Sequence, residues 1–360
     1  MALALARRGH HVTVACYAHG QGDVDPDYDV VRTPAVPGYD NLRAGPDLIK
    51  PALDLALAAQ LVRLGRRADV VHAHNYEAPV AAYLARALTG VPVVYNNHNT
   101  MGEELHRYFQ GARAQRLAHH AGRVMDAQIP RRADASVAIS EQAVTLLRDL
   151  GCHPVHYVPP GVDMGDFEGA DAERARAAHG LGDRVWVVYA GNPDSYQDLE
   201  VLVDAVCAVP DVGLLMVSAS PLDEWQERAR SLPQERKRFV VTPEWGQVRD
   251  LIAAADIAAL PRAVCSGYPI KLLNYLGLGK PTVACQGSAR PIPGVVAVPN
   301  GDPAAFGAAL VELAVDPERT RALGLAACGC IARDYTWDAQ AAKLERVYAQ
   351  VLAGRAVPRR

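Results

Sequence analysis

The stretch Pro261–Ala284 reads PRAVCSGYPIKLLNYLGLGKPTVA. The apolar run Asp256–Leu260 leads into it as a strand, and Pro261 ends that strand because proline cannot donate to a central ladder. Gly267 lets a ligand approach the backbone closely, and Pro269 suits a first helical turn. Leu272, Leu273, Tyr275 and Leu276 follow with helical spacing; Gly279-Lys280-Pro281 stops the helix, and Thr282–Cys285 starts another strand. A helix that starts at the carboxyl end of a parallel sheet offers free amides and a dipole to an anion such as a diphosphate. Lys271, in its first turn, adds a full positive charge.

Working outward, Val185–Ala190 (VWVVYA) is a buried strand that runs into a loop starting at Gly191 and then a helix through Ala205, a second strand–Gly-loop–helix unit suited to phosphate. Val212–Ser218, Phe239–Thr242 and Val295–Val298 read as further strands, Asp302–Leu313 and Pro317–Arg333 as helices, and a last helix runs to Leu352. In the N-terminal half, His11–Cys16, Tyr28–Arg32, Asp69–His74, Val91–Tyr95, Ala135–Ser140 and the start of Val155–Asp163 read as strands, separated by helical stretches. Strands alternating with helices predict an α/β fold with parallel sheets. The domain boundaries expected are 1–165 for a first Rossmann-like domain, 166–183 for a polar linker, 184–333 for a second Rossmann-like domain, and 334–353 for a C-terminal helix.

At 360 residues, two domains are the prior. A net charge of −3 argues against nucleic acid as the main partner. The seven cysteines are scattered, with only Cys328 and Cys330 close, which gives no metal frame and fits reduced thiols in a cytoplasmic protein. No apolar run reaches the ~18 residues of a membrane span.

His72 and His74 alternate with apolar residues and so point to one face; a structural or hydrogen-bonding role is expected, since no third metal ligand is near. Asn96, Asn97 and Asn99 read as loop-shaping residues around His98. Glu103 and Glu104 follow, in solvent or beside an acceptor. Arg107–Arg132 carries six arginines and almost no acid, with Leu117 and Val124 as expected apolar anchors of a helix; its basic face suits an anionic membrane surface or a lipid-phosphate acceptor.

The stretch around Lys271 resembles the signature region of the retaining family-4 glycosyltransferases of the GT-B fold. Gly267-Tyr268, Leu273, Gly279 and Pro281 fall in step with that signature, Ser266 and Asn274 stand where the family has two glutamates, and Lys271 matches a variant with lysine three positions before the second acid. The resemblance extends from Arg7-Arg8-Gly9-His10 to Tyr335-Thr336-Trp337. It implies two Rossmann-like domains facing across a cleft, with the C-terminal helix 334–353 crossing back to the first, and with the donor held by Gly191, Asn192, Gln197, Ser218 and Trp245, by the run Ser266, Gly267, Tyr268, Pro269, Ile270 and Lys271, and by Asn274. His98 matches the family histidine that faces the donor sugar and is the expected catalytic residue. Asn192 and Gln197 replace an arginine and a lysine, which leaves the diphosphate heavily dependent on Lys271, with Arg262 as a second candidate cation.

The activity implied is transfer of a sugar, with retention, from a nucleotide-diphosphate sugar to a hydroxyl of a glycan or lipid-linked acceptor. Neither metal nor cofactor is expected, because no Asp-x-Asp pair stands at a plausible strand end. The family also implies a strand and Gly-rich turn before Met1–Gly9; an upstream segment supplying them is expected to be required for activity. The alternatives are a catalytically dead nucleotide-sugar-binding subunit, a structural partner of another transferase, or a GT-B sugar-nucleotide epimerase.

Overall fold

A computed structural model describes residues 1–18, 25–37, 39, 47, 49–265 and 267–356. The expectation for Ser266 therefore lies outside the described residues. Two units make up the chain: Met1–Gly161 with Ser266–Tyr268 and Trp337–Arg360, and Val162–Cys265 with Pro269–Thr336.

The first unit contains α1 (Ala2–Arg7), β1 (Thr13–Cys16), β2 (Asp29–Arg32), α2 (Lys50–Gly65), β3 (Val71–His74), α3 (Glu77–Thr89), β4 (Val93–Asn97), α4 (Met101–Glu104), α5 (Ala112–Gln128), β5 (Ala135–Ala138), α6 (Glu141–Asp149) and β6 (Val155–Tyr157). Strands β3 to β6 form one parallel sheet in chain order, while β1 and β2 pair only with each other among the described residues. The apolar residues of β4 and β5, Val93, Val94, Tyr95, Ala135, Val137 and Ala138, lie at 0–2% exposure in the core of the unit. Ser140 caps α6 by accepting from the Ala143 amide at 3.2 Å. The last helix, Trp337–Ala356, packs Ala341, Leu344 and Val347 in the same cluster as Ala4, Leu5 and Val94.

The second unit contains α7 (Ala172–His179), β7 (Val185–Ala190), α8 (Leu199–Ala208), β8 (Val212–Ser218), α9 (Asp223–Arg228), β9 (Lys237–Val241), α10 (Trp245–Ala254), β10 (Ile257–Leu260), α11 (Ile270–Gly277), β11 (Thr282–Cys285), β12 (Val295–Val298), α12 (Pro303–Ala314) and α13 (Pro317–Asp334); Trp337–Ala356 of the first unit is then α14. Its six strands are all parallel in the order β12-β11-β10-β7-β8-β9. Apolar clusters cover both faces of the sheet, which explains the continuous apolar runs of β7 and β8. From β7 the chain builds outward through β8 and β9, then returns to the other side of β7 with β10. The neighbours β7 and β10 thus bracket the point where strand order reverses, the usual ligand crevice of such sheets.

Three sequence expectations need correction. The stretch 166–183 is not a bare linker: it folds into α7 within the second unit, capped by Asp171 and tied to α10 where Arg174 donates to the buried Asp250 at 2.6 Å. Burial would raise Asp250, but the Asp171 amide, Arg174 and Arg249 together hold its carboxyl below the usual range. Asn96 and Asn97 are not loop residues, because β4 runs two residues further than expected and both are buried in it. Leu117 and Val124 do not anchor α5. They are 71% and 48% exposed, and the helix instead turns Ala118, Gly122 and Asp126 inward. Small residues are required there: a Cβ on Gly122 would come 2.3 Å from the Met101 carbonyl oxygen.

Candidate functional site

In the second unit the loops after β7 and β10 and the start of α11 meet at the strand-order reversal. Tyr189, near the end of β7, is fully buried, and its hydroxyl donates to the Asn192 carbonyl at 2.7 Å. The same hydroxyl accepts from Lys271 Nζ at 2.8 Å. Gly191, with φ +148°, makes room for this lysine, since a Cβ there would lie 2.1 Å from Lys271 Cε. The buried Tyr275 hydroxyl bonds to Ala190, accepting from its amide at 2.9 Å, and so fastens α11 to the end of β7. Asp198, in the left-handed region at φ 52°, accepts from the Ala263 amide at 2.7 Å and joins the start of α8 to the loop after β10.

Lys271 is a half-buried cation with a neutral phenol as its hydrogen-bond partner; among the described residues no carboxylate lies within ion-pair distance of it. Burial lowers its pKa to about 8, with Asp194 opposing and Arg262 adding to the shift. A desolvated ammonium without a counter-ion is costly unless an anion arrives to pair with it. Arg262 lies over the Tyr196 ring at 4.8 Å from its centre and donates to the Val264 carbonyl.

The pKa gives a pH dependence with a definite sign. A bound diphosphate favours the charged lysine and raises its pKa, so affinity is full below about pH 8 and falls as the free protein's Lys271 loses its proton above it. Between pH 7 and 9 the loss of affinity for a nucleoside diphosphate is expected to be about tenfold, one factor of ten per unit beyond the free pKa. The phosphate's own second ionisation, near pH ~6, is complete in this window. Calorimetric titration should show proton uptake on binding at pH 8.5. A flat affinity from pH 7 to 9 would remove Lys271 from the anion site.

The remaining expected donor residues fall into place unevenly. Asn192 is exposed, whereas Gln197 is buried just before α8. Ser218 ends β8, buried, and accepts from the Ser220 amide at 2.9 Å. Asn274 is half-buried one turn along α11 from Lys271; Pro269 is the cap residue of that helix, and Ile270, its first residue, is exposed. Trp245 opens α10, and its indole donates to the Asp166 carbonyl at 3.2 Å. Gly267 and the buried Tyr268 group with the first unit, where a Cβ on Gly267 would lie 3.1 Å from the His98 carbonyl oxygen.

In the first unit His98 follows β4. Its Nε2 is 3.0 Å from His74 Nδ1, and Asn96 Nδ2 approaches the same His74 nitrogen at 3.3 Å. The His72 and His74 rings stack at 4.7 Å, and His72 Nδ1 lies 2.7 Å from the Tyr348 hydroxyl. Burial pushes all three histidines down, His74 to about 4 with help from His98, so the group is neutral at neutral pH. Among the described residues no cluster of three or more His, Cys, Asp or Glu is arranged to hold a metal. The loop carrying His98 is fixed by Asp126, which accepts from the Met101 and Gly102 amides at 2.9 Å and from the Tyr76 hydroxyl. Glu104 accepts from Tyr108 and Asn99, while Glu103 is exposed.

Tyr189, Tyr275, Asp198 and Asp126 were not among the expected site residues. Spacing marks the two tyrosines as buried but says nothing of their hydroxyl partners, and the two aspartates bond to backbone amides far away in sequence.

Residues 1–166 match the model of Glycosyltransferase Family 4, and residues 184–316 match that of Glycosyl transferases group 1. A D-inositol 3-phosphate glycosyltransferase of Xylanimonas cellulosilytica is 29% identical over 96% of this chain and 89% of its own length. Among solved structures, the sucrose-phosphate synthase of Thermosynechococcus elongatus superposes with a TM-score of 0.77 at 20% identity, over 98% of this chain and 92% of the other. Anabaena HepE in complex with UDP-glucose gives 0.66 at 15% identity, over 96% and 100%. The two family models, which together span both units, and the parallel α/β architecture agree: the chain belongs to the family-4 glycosyltransferases of the GT-B fold.

Proposed function

We propose that the protein transfers a sugar, with retention, from a nucleoside-diphosphate sugar to a hydroxyl of a glycan or lipid-linked acceptor. The observation that carries this reading is Lys271, a half-buried cation with no carboxylate partner among the described residues, at the start of a helix and at the strand-order reversal. Such a group is suited to the negative charge that grows on a departing diphosphate. In the reaction the bond from the anomeric carbon to the diphosphate oxygen breaks, the acceptor oxygen bonds to that carbon on the same face, and the departing phosphate oxygen takes the acceptor proton. The products are the glycoside and the nucleoside diphosphate. Asn274 holds the ribose, and neutral His98 hydrogen-bonds a hydroxyl of the sugar. This acceptor class belongs to cell-surface polysaccharide or glycolipid synthesis, with the protein peripheral at the cytoplasmic face of the membrane.

Solved HepE complexes with UDP and UDP-glucose support starting the donor panel with UDP-sugars. The name of the inositol-phosphate relative adds a phosphorylated cyclitol to the acceptor panel. Release of nucleoside diphosphate that depends on acceptor, and a product with the donor's anomeric configuration by NMR, are the expected results. An inverted product would reject retention; donor binding without turnover on any acceptor would favour a binding subunit. A glutamate at 274 would offer ribose a charged acceptor in place of a neutral amide, worth about 1 kcal/mol. Asn274→Glu is therefore expected to tighten UDP binding about fivefold, and an unchanged or weaker affinity would take Asn274 off the ribose.

A further inference from the structure

We propose that the outward face of α5 docks the protein on a lipid surface rich in anionic headgroups. The proposal extends the reading of a membrane-side acceptor, but it rests on separate residues. Taken at 100° per residue, Arg113, Arg116, Leu117, His120, Arg123 and Val124 fall within an arc of about 120° on α5. The opposite side carries Ala118, Gly122, Met125 and Asp126, which pack inward. The helix therefore presents one mixed basic and apolar stripe to solvent. None of the three arginines makes an ion pair or side-chain hydrogen bond among the described residues.

Charge balance on this face is one-sided. The sole acid between residues 105 and 132 is Asp126, and it is buried, occupied by the Tyr76 hydroxyl and two amides. The excess positive charge stays exposed in a protein whose net charge is −3. Leu117 is 71% exposed between Arg113 and Arg116 on one side and His120 on the other, and Phe109 is exposed just before the helix. Exposed leucines also stand on other helices, as at Leu55 and Leu88, but Leu117 and Val124 share their face with unpaired arginines. A bilayer interface uses both: the aliphatic groups enter the headgroup boundary while the guanidiniums pair with lipid phosphates. A nucleic-acid groove would use the arginines but leave Leu117 and Val124 without a partner, so lipid is the occupant the stripe fits.

The test is flotation of the full chain with vesicles of phosphatidylcholine alone or with 30% phosphatidylglycerol, at low and at physiological salt, without donor or acceptor. Binding is expected only to the anionic vesicles and to weaken with salt. Replacing Arg113, Arg116 and Arg123 by Gln should weaken it about a hundredfold, near fivefold for each arginine. Replacing Arg63, Arg66 and Arg67, in and just after the last turn of α2, by Gln removes the same charge elsewhere and should leave most of the binding. Leu117→Ser with Val124→Ser should also weaken it while keeping every charge. UDP affinity and circular dichroism report whether each variant is folded. Equal binding to neutral and anionic vesicles, equal loss in the two arginine triples, or binding to RNA that survives the serine pair unchanged while vesicles are ignored would each overturn the proposal. Because no turnover is read, such a failure leaves the transferase reading standing.

Discussion

Lys271→Ala is expected to weaken binding of UDP or GDP by about thirtyfold, roughly 2 kcal/mol, the scale of a charge-assisted hydrogen bond. The effect should be large for a single residue because Asn192 and Gln197 offer no charge in the neighbouring loop, and Arg262 is engaged with Val264 and Tyr196. Binding of the bare nucleoside should change by less than about twofold, since it has no phosphate to lose. The variant should also lose the pH dependence above pH 8, because the group that titrates there is gone. Folding should not suffer: the removed ammonium is a half-buried charge with a neutral partner, and losing it relieves desolvation without stranding a counter-ion. Calorimetry with UDP and uridine on both proteins is the measurement. Equal losses for UDP and uridine would mean that the substitution disturbs the pocket at large and that Lys271 is not the diphosphate cation.

Most of the strand and helix order was legible because the second sheet is parallel and covered on both faces. Its strands β7, β8, β10 and β11 must then be continuous apolar runs, and the turns between them carry Gly and Pro. What spacing does not carry is which way an apolar stripe faces. Leu117 and Val124 have the spacing of a buried seam, yet α5 turns them outward because Ala118 and Gly122 alone allow the helix to approach the Met101 backbone. The polar, alanine-rich stretch of α7 reads as a linker for a related reason. Arg174 ties it to Asp250, 76 positions away, and such a pairing leaves no local trace. At the site, Lys271 was legible from its place in a helix's first turn. The Tyr189 hydroxyl that receives it, and the burial that lowers its pKa, emerge only when β7 and α11 are side by side.

Gly191→Ala tests whether that lysine is placed by the loop or merely present near it. The new Cβ would lie 2.1 Å from Lys271 Cε and 2.5 Å from Nζ, and the φ of +148° is one that an alanine rarely adopts. The lysine end is flexible and the backbone is not, so the side chain must leave Tyr189. Loss of UDP affinity is therefore expected to approach that of Lys271→Ala, about thirtyfold. In the double variant the lysine is already gone, and the further loss should stay within about threefold, an interaction energy of about 1.4–2 kcal/mol between contacting residues. Stability separates the two costs of the new methyl. Backbone strain, about 1–3 kcal/mol, persists whether or not Lys271 is present, whereas the clash disappears with it. The melting temperature lost to Gly191→Ala should accordingly be smaller in the Lys271→Ala background than in the native one. Additive losses of affinity, near a thousandfold for the pair, would show instead that Gly191 contributes through its own backbone against the diphosphate, independently of where Lys271 sits.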